Sequence, residues 1–87
     1  MAKFTVYGRP GCGYCHHAVR LLSSSNLDFD YIDIFEQGMS KADVAEILQR
    51  PVHTVPQILH GSHYVGGCME LISYLQSSDF AEIEAAS

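Results

Sequence analysis

Positive charge is scarce in this chain. Its 87 residues include five Lys and Arg against ten Asp and Glu, for a formal net charge of −5. Lys3, Arg9, Arg20, Lys41 and Arg50 are scattered along the sequence. No basic patch can form to neutralise phosphates, so nucleic acid is not an expected partner. Long apolar runs are also missing, which excludes a membrane-spanning helix. The opening residues, Met1 to Tyr7, lack the apolar core and cleavage site of a secretory signal, and a cytoplasmic location is expected. Cysteine is sparse and odd in number, at three, which fits no closed disulfide framework. In a reducing compartment a surviving pair is more often catalytic or metal-binding than structural. Repeats, linkers and low-complexity segments are lacking too. The length suits one domain, 1–87, expected to be a monomer.

What is present reads as alternating elements. Lys3 to Tyr7 is rich in aromatic and β-branched residues and predicts a strand. Gly8-Arg9-Pro10-Gly11 is a loop by composition. From about Tyr14 to Ser25, Cys15, Ala18, Val19 and Leu22 recur at helical spacing. Phe29 to Ile34 predicts a second strand. Ser40 then offers an N-cap with Asp43 three residues on, and Met39 and Val44 have the spacing of a hydrophobic staple. Val44, Ile47 and Leu48 form that helix's apolar face, and Pro51 stops it. Gln57 to Leu59 and His63 to Val65 make a hairpin, with His60-Gly61-Ser62 as its turn. Gly66-Gly67 ends the hairpin, and Cys68, Leu71, Ile72 and Leu75 line a third helix. From about residue 79 the chain reads as a polar, weakly helical tail expected to fray. The order β-α-β-α-β-β-α makes an α/β protein: a mixed four-stranded sheet, flanked by three or more helices, with a parallel βαβ unit in its first half. Phe4, Val6, Leu22, Ile32, Ile58 and Leu71 are the expected core.

The stretch Gly11 to His17, GCGYCHH, raises the chemical question. Cys12-Gly13-Tyr14-Cys15-His16 matches a haem-attachment pattern, half a zinc site or a thiol–disulfide centre. Haem attachment belongs to export compartments, and a βαβ unit has no pocket for a porphyrin. Structural zinc needs two further ligands. Cys68 and His16, His17, His53, His60 or His63 show no paired ligand spacing, and His60 and His63 read as solvated turn residues. The redox reading fits best. It puts Cys12 at a helix N-terminus, where free N–H groups and the helix dipole stabilise a thiolate. Arg9 adds a fixed charge, and Cys15, one turn on, faces the same side and can resolve a mixed disulfide. The pair falls where the first strand's carboxyl end feeds a helix, the edge of an open α/β sheet where chemistry usually lives.

With these residues in place, the chain resembles a glutaredoxin over nearly its whole length. Cys12 to Cys15 is similar to the family's C-P-Y-C, Thr54-Val55-Pro56 matches its T-V-P loop, and Gly66-Gly67 matches its double-glycine turn. The segments YGRPGCGYC, DYIDIFEQGMSK and RPVHTVPQI are most similar to the bacterial type-one members. The resemblance implies a thioredoxin-like fold and a glutathione-dependent reductant of protein disulfides and glutathione mixed disulfides, with ribonucleotide reductase as a candidate electron acceptor. No metal and no cofactor beyond glutathione is expected. It also implies roles. Cys12 is the nucleophile and Cys15 the resolving thiol. Tyr14 packs beside glutathione, and Arg9 pairs with one of its carboxylates. Thr54 and a cis Pro56 set the pose of Val55, whose backbone meets the cysteinyl part. Gly67 admits a close approach, and the N–H groups of Cys68 and Met69 take the γ-glutamyl carboxylate.

Three departures from the family pattern stand out. Gly13 replaces the usual proline. Met69 stands where Thr or Asp is common, leaving Glu70 as the candidate partner of the γ-glutamyl amine. Val52 replaces an Arg or Gln of some relatives, with Gln57 and His53 as candidates to compensate. The small Gly13 also opens an alternative, a [2Fe–2S] cluster carrier that uses Cys12 and glutathione in a cluster-bridged dimer. A further alternative is a thioredoxin-like reductant fed by a flavoprotein. Arg9, Tyr14 and Gly66-Gly67 favour glutathione over that one.

Overall fold

Strand β1, Phe4–Gly8, is buried along most of its length, because its alternating side chains are covered on both faces. The computed structural model describes residues 2–86. After β1 come α1 (Gly13–Ser24), β2 (Phe29–Asp33), α2 (Lys41–Leu48), β3 (Gln57–His60), β4 (His63–Gly66), α3 (Cys68–Leu75) and α4 (Ser78–Ala86). The sheet order is β2-β1-β3-β4. β1 pairs with β2 in parallel, from Phe4 opposite Phe29 to Gly8 opposite Asp33. It pairs antiparallel with β3 on its other side, and β3 pairs antiparallel with β4. This is the mixed four-stranded sheet expected from the sequence.

Two apolar clusters hold the layers together. On one face Phe4, Val6 and Ile58 of the sheet meet Ala18 and Leu22 of α1 and Cys68, Leu71 and Tyr74 of α3. On the other, Tyr7 packs with Ile34, Val44 and Val52, and with Met39, Leu48, Val55 and Leu59 at the edges. The start of α2 forms as predicted. Ser40 Oγ accepts from the Asp43 N–H at 3.1 Å, and the Asp43 carboxylate accepts from the Ser40 N–H at 2.8 Å. Met39 packs on the cluster that contains Val44.

Several sequence expectations need correction. Ile47 is exposed, and Val44 is the residue that α2 buries, because an eight-residue helix turns a narrow stripe to the sheet. Ile32 is only partly buried, since β2 is an edge strand. His60 is not a solvated turn residue. It is the last residue of β3 and is 1% exposed. Strand alternation turns it to the same face as Ile58, where its ring stacks on Phe4 at 4.2 Å between centroids. Its Nδ1 lies 2.6 Å from the Tyr74 hydroxyl, and its Nε2 lies 3.5 Å from Glu84 Oε2. The polar segment read as a tail is the helix α4. Its Phe80 and Ile83 pack against the first cluster. They lie three residues apart, so one helical face carries both.

Candidate active site

The carboxyl end of β1 runs into the loop 9–12 and straight into α1. Gly11 takes φ +75°, a conformation that suits glycine, and turns the chain so that Cys12 becomes the N-cap of the helix. Cys12 has an extended backbone, with φ −99° and ψ 108°. Its sulfur accepts from the Cys15 N–H at 3.2 Å, as the side chain of an N-cap residue does. A thiolate formed there receives the same N–H and the positive end of the helix dipole. The first turn of α1 carries no acidic residue to oppose that charge. Cys12 and Cys15 form a disulfide. Cys15 is 1% exposed while Cys12 is half-buried, so Cys12 is the thiol that an incoming substrate can reach.

Beside Cys12 lies a groove of about 260 Å³ lined by Tyr14, Thr54, Val55, Pro56, Gly67, Cys68, Met69 and Glu70. Three parts of the chain build it. Tyr14, 64% exposed, comes from the first turn of α1. Thr54-Val55-Pro56, with a cis Val55–Pro56 bond, leads into β3. Gly67 to Glu70 open α3, where the free N–H groups of a helix N-terminus suit a carboxylate. Gly66 at φ +121° makes the turn from β4 into this helix. The Cys12 sulfur lies 3.7 Å from the Val55 carbonyl oxygen, so the groove abuts the reactive position. A Cβ on Gly67 would stand 3.1 Å from Glu70 Oε1 and 3.6 Å from the Pro56 carbonyl oxygen, so a side chain there would crowd the groove.

The fold therefore brings together every site residue predicted from the sequence except Arg9. Arg9 lines a separate depression of about 500 Å³ with Pro10, Gly11, His16, Val19, Tyr31 and Asp33. Glu70 is already engaged, its Oε1 accepting from the Gly67 N–H at 2.8 Å. Cys68 is 4% exposed. Burial, reinforced by the neighbouring Glu70 carboxylate, pushes its thiol pKa up. Val52 is a core residue of the second cluster, and Gln57 is buried with both ends of its amide bonded. His53 is exposed and accepts at its carbonyl from Lys41 Nζ at 2.9 Å. Among the described residues no group of three or more His, Cys, Asp and Glu gathers. Tyr64 and Arg50 were not singled out from the sequence; the Tyr64 hydroxyl donates to Gln57 Oε1, and the Arg50 guanidinium lies over the Tyr64 ring. The signal available was strand alternation, which puts Gln57 and Leu59 on one face of β3.

A Cys-x-x-Cys disulfide at a helix N-terminus, set at the carboxyl end of a strand in a mixed sheet, defines a thiol–disulfide oxidoreductase of thioredoxin-like fold. The sequence model of Glutaredoxin matches residues 4–65. The chain is 42% identical over 81 residues to Glutaredoxin 1 of Salmonella typhimurium, covering 86% of this chain and 93% of that protein. It is 36% identical over 78 residues to a glutaredoxin of Vibrio cholerae, covering 84% and 90%. The structure of reduced Escherichia coli glutaredoxin is similar at a TM-score of 0.72 and 32% identity, covering 85% of this chain and 93% of that one. The chain belongs to the glutaredoxin family, and it is a glutathione-dependent disulfide oxidoreductase.

Proposed function

We propose that the groove beside Cys12 holds glutathione and that the enzyme uses it to reduce glutathione mixed disulfides and protein disulfides. The observation that carries this reading is the contact between the Cys12 sulfur and the Val55 carbonyl, 3.7 Å apart, at the edge of a groove ending on a helix N-terminus. A glutathionyl sulfur on Cys12 then lies beside the Val55 backbone, which meets the cysteinyl part strand-fashion. The γ-glutamyl carboxylate takes the N–H groups of Cys68 and Met69. Tyr14, Thr54 and Pro56 flank the tripeptide. Gly67 leaves room for it, and Glu70 stands near its amine. Arg9, in the loop that precedes Cys12, supplies a fixed positive charge for a glutathione carboxylate.

With a mixed disulfide as substrate, the Cys12 thiolate attacks the glutathionyl sulfur. The S–S bond breaks, and the other sulfur leaves as a thiolate that takes a proton. A second glutathione thiolate attacks the glutathionyl sulfur on Cys12, releasing glutathione disulfide and restoring the Cys12 thiolate. With a protein disulfide, Cys12 attacks first. Cys15 then attacks the Cys12 sulfur, freeing the protein dithiol and leaving the Cys12–Cys15 disulfide. Two glutathiones reduce that disulfide. Ribonucleotide reductase, a recipient suggested by the type-one resemblance, would enter by this second route.

Steady-state reduction of a small glutathione mixed disulfide, coupled to glutathione reductase, tests the reading. Wild type and Cys15→Ser turn over, while Cys12→Ser falls to background. An inactive wild type would move the function to cluster carriage, which a brown anaerobic preparation would signal, or to turnover by a flavoprotein reductase.

A further inference from the structure

Two side chains hold the backbone of the loop that walls the groove. Lys41 Nζ donates to the His53 carbonyl at 2.9 Å from an exposed position. Gln57 Nε2 donates to the Thr54 carbonyl at 2.9 Å from a buried one, with Gln57 only 6% exposed. The Gln57 amide has one possible orientation. A carbonyl oxygen only accepts, so the NH₂ group must face Thr54. That turns Oε1 toward Tyr64, whose hydroxyl donates to it at 2.6 Å. The Arg50 guanidinium sits 3.6 Å over the centre of the Tyr64 ring, a cation–π contact that covers the ring from outside.

The Thr54 carbonyl shares its peptide unit with the Val55 N–H. Val55–Pro56 is the only cis bond among the described residues, so the Thr54–Val55 unit is trans and planar, with C=O and N–H pointing opposite ways. Drawing the Thr54 oxygen inward to Gln57 therefore aims the Val55 N–H outward. We infer that Gln57, braced by Tyr64, is a positioning residue that presents the Val55 N–H to the cysteinyl backbone of a bound glutathionyl group. The inference rests on the glutathione reading above and extends it to residues behind the groove. The strut touches neither Cys12 nor substrate, so its effect falls on recognition and leaves the sulfur chemistry alone.

The test compares wild type, Gln57→Leu and Tyr64→Phe with the mercaptoethanol–glutathione mixed disulfide. Loss of a positioning hydrogen bond raises KM about tenfold in Gln57→Leu and about threefold in Tyr64→Phe, with kcat within about twofold of wild type. The milder Tyr64→Phe, which deletes one hydroxyl, serves if Gln57→Leu folds poorly. The alkylation rate of reduced Cys12 stays at the wild-type value in both. Hydrogen exchange at the Val55 amide supplies a second readout. Glutathionylation of Cys12 slows it in wild type, and the slowing shrinks in the variants. Unchanged KM with full Val55 protection in the variants would overturn the strut while leaving the glutathione site standing. No protection of Val55 in wild type would overturn both.

Discussion

The three cysteines share a side chain and differ in what surrounds it. Cys12 is an N-cap with its sulfur on a helix N–H and a face toward a groove. Cys15 lies one turn deeper and closed to solvent, placed to attack Cys12 from inside. Cys68 opens α3 on the groove wall, yet it belongs to the apolar cluster and is the free cysteine of the chain. Burial raises its thiol pKa first, and the Glu70 carboxylate adds to the rise, since both disfavour the thiolate. The folded chain thus keeps this proton to higher pH than the unfolded chain does. The associated stability is intact below the ordinary thiol range and is lost as pH rises through the raised value. We expect iodoacetamide at neutral pH to label Cys12 in the reduced enzyme and leave Cys68 untouched, with Cys68 reacting only at alkaline pH. Peptide mapping after a timed quench reads the order. Labelling of Cys68 at the rate of Cys12 would contradict this account.

At the level of elements, the start of α1 is where this chain departs most from its family's motif. Gly13 is the first helical residue, and a Cβ built there meets nothing within 4 Å. Proline suits that position, because its missing N–H is one the helix leaves unpaired and its φ is already helical. Cys12 before it is extended, at ψ 108°, as a residue preceding proline must be. Gly13→Pro should therefore stabilise the oxidised protein by about 0.4–1 kcal/mol, chiefly by restricting the unfolded chain. The urea midpoint rises with no change in slope. A lower midpoint would mean that the helix start needs the freedom or the N–H of glycine. The other elements show how local signals divide. The α2 cap was legible because Ser40, Asp43, Met39 and Val44 act on their own neighbours. The outcome for His60 was not, because its partners come from α3 and α4.

Across the whole molecule, α4 closes one end of the first core layer. Phe80 lies near Phe4, His60 and Tyr74, and the His60 imidazole bonds the Tyr74 hydroxyl through Nδ1, while its Nε2 lies 3.5 Å from Glu84 Oε2 without a hydrogen bond. A buried ring nitrogen stripped of its partner loses the bond and pays its desolvation. Tyr74→Phe removes the hydroxyl at nearly constant volume, so we expect it to cost about 1–3 kcal/mol, read by urea unfolding. An unchanged midpoint would show that the 2.6 Å contact contributes nothing net. The active-site groove lies at the other end of α3 from Tyr74, so glutathione turnover in this variant stays near wild type at temperatures where it is folded.

The element order as far as α3, the parallel first pair, the α2 cap and the redox character of Cys12 and Cys15 were all legible in the chain. Each rests on neighbours within a few residues or on an alternation that a strand must keep. The resemblance added the loop and turn that the fold then placed beside Cys12. Tertiary structure alone decided which polar residues go inside. His60 and Gln57 look hydrophilic in any window, but both faces of β3 are covered, so alternation buries one on each face; Tyr74 of α3 gives His60 a partner, and Tyr64 of the neighbouring strand gives Gln57 one. It also decided that Phe80 and Ile83 dock α4, since a short helix gains stability from the face it buries, and that face exists only once the sheet and α3 are assembled.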